Sequence, residues 1–152
     1  MKRLLLTLSV FAIGYLTVPA AHAQNITGTW KMSSAVLEES NGKKSDTHQD
    51  QLKNMPCAST ITYTFKPDGT LVTNAPDCKN LKAIIESQNG KTTWKQNGNK
   101  VTITTTDTRF PAQVYSVSVT GNTMTWYFGY ADNPKTANPT KAKSLVTVYK
   151  KI

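Results

Sequence analysis

Few side chains in this sequence could do chemistry, and they are widely spaced. Cys57 and Cys78 are its two cysteines, and His48 is the histidine that remains after His22 near the amino terminus. Glu38 with Glu39, and Asp46 with Asp50, are the close acidic pairs. Two cysteines and one distant histidine do not make a zinc spacing, so no metal site is expected. Proton transfer or nucleophilic attack needs a base, a nucleophile and an orienting group within reach of one another. His48 lies in a polar stretch with no apolar strand to hold it and reads as a solvated surface histidine. Both acidic pairs lie in the hydrophilic segment before Cys57 and read as solvent-facing. With no serine motif, phosphate-cradling loop or metal cluster, the residues argue against an enzyme and call for no cofactor.

What the cysteines do depends on the compartment. Met1 to Ala23 reads as a secretory signal peptide: Lys2 and Arg3 form a positive start, Leu4 to Leu16 is apolar, and "AHA" (21 to 23) is a small-x-small cleavage site. The apolar stretch is short for a membrane span of ~20 residues, and no cysteine follows the cleavage site to be acylated. The expected mature chain, 24–152, has 129 residues, the size of a single domain with one hydrophobic core and no transmembrane segment. Export places it in the periplasm or outside the cell, where two thiols pair. Cys57 and Cys78 would then close a loop of 22 residues, counting both ends, and contribute roughly 3 kcal/mol.

Losing residues 1–23 removes two basic residues and no acidic one, so the formal net charge of +9 falls by two to +7. Arg109 is then the sole arginine. Nucleic-acid readers and phosphate clamps favour the planar guanidinium, whereas dispersed lysines are hydrated point charges. The composition therefore excludes nucleic acid as a partner and describes a solubilising surface. An anionic glycan or lipid headgroup is the acidic partner that suits an exported chain.

Period-two patterning runs through nearly all of the mature chain. Eight strand candidates are rich in Thr, Val, Ile and aromatics. They are "TGTWKMSSAVLEE" (27 to 39), "STITYTF" (59 to 65), "TLVTN" (70 to 74), "KTTWKQ" (91 to 96), "KVTITTT" (100 to 106), "AQVYSVSVT" (112 to 120), "TMTWYFGY" (123 to 130) and "SLVTVYKKI" (144 to 152). "PDG" (67 to 69), "NGN" (97 to 99) and "TGN" (120 to 122) are tight-turn chemistry, which makes consecutive strands antiparallel neighbours. Short helical turns are expected within 46 to 54 and within 78 to 87, where Leu81, Ile84 and Ile85 share an apolar face. The Pro- and Asn-rich stretch 131 to 143 reads as a loop.

About eight short strands in up-and-down order favour closure, because a barrel removes unpaired edges. The expected fold is an all-β, single antiparallel up-and-down barrel with an interior wide enough for packed side chains or one small ligand. Its inward face is one half of each alternating pattern, best read as Ile61, Tyr63 and Phe65; Val101 and Ile103; Tyr115, Val117 and Val119; and Met124, Trp126 and Phe128. Within it Tyr63, Phe65, Tyr115, Met124, Trp126 and Phe128 are the candidate ligand-lining residues. Alternating aromatics fill cores more often than they line cavities. Tyr63 and Tyr115 are the better candidates, because a buried phenol needs a partner and can offer one.

"TGTWKM" (27 to 32), a Gly-x-Trp on the first strand near the mature amino terminus, resembles the lipocalin signature. The succession of a Cys, "YTFKPDGT", a second Cys, "GKTTWKQNGNKVTIT" and "NTMTWYF" is similar to the small exported lipocalin-like domains common in Bacteroidota, over Gly28 to about Tyr149. The resemblance implies a calyx-like barrel that binds a small hydrophobic ligand or serves as an extracytoplasmic binding module. It also implies that Gly28 and Trp30 lie near the closed end, with Trp30 plugging the floor. Where such barrels place a late arginine over that tryptophan, this sequence has Lys150 and Lys151. A second class of function stays open: a filled barrel acting as an inhibitor-like module, whose segments 39 to 56 and 131 to 143 meet a protein or glycan.

Overall fold

Alternation along the chain becomes nine strands in the computed structural model, which describes residues 25–152; the expected signal segment, 1–23, lies outside the described residues. Strand β1 (Gly28–Glu39) is followed by the short β2 (Lys44–Asp46), helix α1 (Thr47–Asn54), a 3₁₀ turn (Pro56–Thr60), β3 (Thr62–Phe65) and β4 (Leu71–Asn74). Helix α2 (Lys79–Gln88), β5 (Thr92–Asn97), β6 (Lys100–Thr105), β7 (Gln113–Thr120), β8 (Thr123–Gly129) and β9 (Ala142–Lys151) complete it. All pairings are antiparallel, in the order β4-β3-β1-β9-β8-β7-β6-β5, with β2 paired to β1 off this path. The expected barrel of eight strands is therefore present, with β2 as a small addition.

The barrel nearly closes. Edge strands β4 and β5 meet at one bridge, Thr70 with Thr93, where the Trp94 amide donates to the Gly69 carbonyl at 2.7 Å. Gly69 has φ +84°, and a Cβ there would lie 3.2 Å from the Trp94 carbonyl oxygen, so the approach of the two edges requires glycine. Beyond that bridge the Asn89 side chain, just after α2, takes over the ladder. Its Oδ1 accepts from the Thr73 amide at 3.0 Å and its Nδ2 donates to the Thr73 carbonyl at 2.9 Å. An amide side chain carries one donor and one acceptor in the geometry of a peptide, so it can stand in for a strand residue.

The disulfide lies at the foot of the β3–β4 hairpin. Cys57 in the 3₁₀ turn is bonded to Cys78, the residue that caps α2, with Cα atoms 5.2 Å apart. Ala58, Ile61, Ala75 and Cys78 form a small satellite core there, joined by Leu81 and Ile85 of α2. Ile84, expected on the same face, is 59 % exposed. A helix touching the wall along one ridge seats residues four apart and leaves the third out.

The polar segment after β1 is more ordered than its composition implies. Asp46 caps α1 by accepting from the Gln49 amide at 2.9 Å, and Glu38 is paired with Lys143 at 3.1 Å and Lys44 at 3.7 Å. Both lysines hold the Glu38 carboxyl below its ordinary pKa, Lys143 most strongly. Asp50 pairs with Lys53 at 3.4 Å. His48 is not solvated: it is 7 % exposed, and its Nδ1 has no hydrogen-bond partner among the described residues. The reason is the packing of α1 on β1 and the 3₁₀ turn, where Thr47 Oγ1 donates to the Ala35 carbonyl at 3.0 Å.

Candidate ligand site in the barrel

At one end the barrel is solid. Ile26, Trp30, Phe65, Val101, Val117, Met124 and Trp126 form one buried cluster. Trp30 is completely buried and its Nε1 donates to the Ile26 carbonyl at 2.8 Å. Lys151, opposite Trp30 in the β1–β9 register, places Nζ 5.3 Å from the ring centroid. Gly28, with φ +121°, gives the lysine room: a Cβ there would lie 3.0 Å from Lys151 Cε. A cation over the face of an indole is attracted by the ring quadrupole, so Lys151 covers the tryptophan from the end of the chain.

Toward the other end the packing loosens. Tyr63, Trp94, Ile103, Tyr115 and Tyr149 pack on the cluster but remain partly accessible. The rings form a chain: Phe65 to Trp126 at 5.3 Å, Trp126 to Tyr115 at 4.8 Å, Tyr115 to Phe128 at 5.3 Å, and Trp126 to Tyr149 at 6.2 Å. Tyr63 meets Tyr149 edge-on at 5.6 Å, and Trp94 meets Phe65 at 5.9 Å. The Tyr115 hydroxyl donates to Gln113 Oε1 at 2.7 Å. Burial pushes the Tyr115 phenol up to about 12, with Tyr130 adding to the shift, and raises Tyr63 and Tyr149 in the same direction.

Above these rings a pocket of about 220 Å³ opens at the mouth, between β5, β6, β7 and the segment carrying Phe110 and Pro111. Thr92, Ile103, Thr105 and Gln113 are its strand contributions. Thr92 is two residues from Trp94 on one strand, and Gln113 two residues from Tyr115 on another, so pocket and rings share the inner face. A larger hollow of about 340 Å³ lies between β4 and α2. Its lining includes Asn74, Lys82, Glu86 and Asn89 and no aromatic ring, so it offers little to an apolar molecule.

Of the residues singled out in the sequence, Phe65, Met124 and Trp126 lie in the solid core, and Phe128 is buried between Tyr115 and Tyr130. Tyr63 and Tyr115 pack against it and are only partly buried, Tyr63 directly opposite Trp30 in the β1–β3 register. Trp94 and Tyr149 were not singled out. In "KTTWKQ" the tryptophan is the lone apolar residue of its alternating half, and in β9 the more apolar half, Val146 and Val148, is the opposite one.

An antiparallel, nearly closed barrel with a Gly-x-Trp floor and an aromatic inner wall is a calyx of the binding-protein type. The lipocalin-like domain model matches residues 26–126, and the chain belongs to that family, one of binding proteins. No curated protein and no solved structure matches it.

Proposed function

We propose that the protein is an extracytoplasmic binding protein that holds a small hydrophobic ligand in the upper half of its barrel. The observation that carries this reading is the mouth pocket on the same inner face as the partly accessible Trp94 and Tyr115: Ile103, which lines it, is opposite Trp94, and Gln113, which also lines it, is two residues from Tyr115. Binding sites are concave, mainly apolar and lined by few polar groups. At about 220 Å³ the pocket is smaller than the ~300–1,000 Å³ of drug-sized sites, which suits a small molecule or one end of a chain. The reading assigns no catalytic residue and no cofactor. Export to the periplasm or the medium agrees with the disulfide, since such bonds persist in oxidising compartments. Among the described residues no helix is long and apolar enough to cross a membrane.

The test is native mass spectrometry of the protein exported in its own host, compared with its denatured mass. An added mass that leaves on denaturation and extracts into organic solvent is expected. The bare chain alone, two mass units light for the disulfide, would count against this reading.

A second reading, in which the barrel is filled and its loops meet a protein or an anionic glycan, is favoured by one observation. Phe110, 58 % exposed at the mouth, has the Arg109 guanidinium 5.9 Å from its ring centroid. Loss of partner capture in Phe110→Ser with unchanged stability would support it.

A further inference from the structure

The three tryptophans of the barrel differ in one respect. Trp30 Nε1 donates to the Ile26 carbonyl, whereas Trp94 Nε1 and Trp126 Nε1 are buried without a hydrogen-bond partner among the described residues. An indole nitrogen only donates, and a buried donor left unpaired is destabilising. Trp126 is 5 % exposed and packs on Tyr115; Trp94 is opposite Ile103, which lines the mouth pocket. Both donors lie on the inner wall without the acceptor that burial calls for, Trp126 within the solid core and Trp94 one cross-strand neighbour from the mouth pocket.

Resting on the binding reading above, we infer that the barrel takes a neutral, carbonyl-bearing apolar molecule (a ketone, ester or lactone) whose oxygen accepts from Trp94 Nε1. Charge decides for the neutral class. The inner-wall residues around the two indoles are Phe65, Ile103, Tyr115, Val117 and Tyr149, none of them cationic, and Lys151 lies at the floor over Trp30. A carboxylate drawn in beside the indoles would be a buried charge without a counter-charge. A carbonyl loses little on transfer and gains the donor.

The test is an NMR titration of the oxidised protein, following the indole N–H resonances, with a matched series: octane, 2-octanone, methyl octanoate and octanoate. Trp94→Phe and Trp126→Phe each delete one resonance and so assign it. The expected result is a shift of the Trp94 resonance, with that of Trp30 unmoved, and binding of the ketone or ester about tenfold tighter than of octane. Trp94→Phe should abolish that preference and keep the octane affinity. Equal affinity for octane and 2-octanone, or tighter binding of octanoate, would overturn the inference while leaving the binding reading intact. Binding of no member of the series would overturn the inference and count against the apolar-ligand reading as well. If a variant fails to fold, the wild-type shifts and affinity order still decide.

Discussion

Lys151 Nζ stands 5.3 Å from the centroid of the Trp30 ring, and its Cε lies where a side chain on Gly28 would have to go. Three residues from the two ends of the described chain thus form one unit at the floor. Lys151→Ala should lower stability by about 1 kcal/mol, Lys151→Arg should be close to neutral, and Gly28→Ala should cost about 1–3 kcal/mol because it combines a positive φ with a clash. Urea denaturation midpoints check the order. A Gly28→Ala protein as stable as the parent would remove the floor unit from the account.

Joining Cys57 to Cys78 fixes the entry to β3 and the exit from β4 in one place. Cys57→Ser should lower stability by roughly 2–4 kcal/mol while the far-ultraviolet circular dichroism keeps its β signature. Equal denaturation midpoints for the variant and the oxidised parent would sink that assignment.

Asn89 closes the seam with two hydrogen bonds to Thr73. In Asn89→Ala the Thr73 amide should exchange faster with solvent, and stability should fall by about 1–3 kcal/mol as a partly buried donor and acceptor lose their partners. Unchanged protection at Thr73 would mean that the seam is held by other contacts.

Burial raises the phenols of Tyr115, Tyr63 and Tyr149 above the ordinary tyrosine value, Tyr115 to about 12. In an unfolded chain tyrosine ionises near ~10. From about pH 10 to 12 the unfolded state therefore sheds protons that the folded state keeps. Stability that is complete below pH 10 should decline as pH rises, by roughly 1.4 kcal/mol per pH unit for Tyr115, with Tyr63 and Tyr149 acting in the same direction. Denaturation curves over that range check the slope, and Tyr115→Phe should make it shallower.

Much of this architecture was legible because strand patterning is local. Side chains alternate strictly along a strand, so one apolar half predicts one inner face. For Tyr63 with Phe65, Val101 with Ile103, and Met124 with Trp126 and Phe128, the inner wall was readable that way. Turn residues at 67 to 69, 97 to 99 and 120 to 122 gave the antiparallel neighbours, and the two cysteines gave the brace. Patterning failed where the apolar half was weak or reversed, at Trp94 and Tyr149. It failed at His48 too, because a histidine in a polar helix reveals nothing about the strand that the helix will cover.

The sequence by itself determined an antiparallel barrel, part of its inner face and its cross-link, since each follows from periodicity, turn chemistry or cysteine number within short windows; Ile61, read as inward-facing, packs in the satellite core instead. Tertiary structure alone decided how far the aromatics fill the interior, which strand edges fail to pair, and which polar groups take over there. Those outcomes depend on residues far apart in the chain, Gly28 and Lys151 or Asn89 and Thr73. They also depend on whether a buried donor such as Trp126 Nε1 meets an acceptor when the wall closes. Local patterning places a side chain on a face, and only three-dimensional packing decides what it meets there.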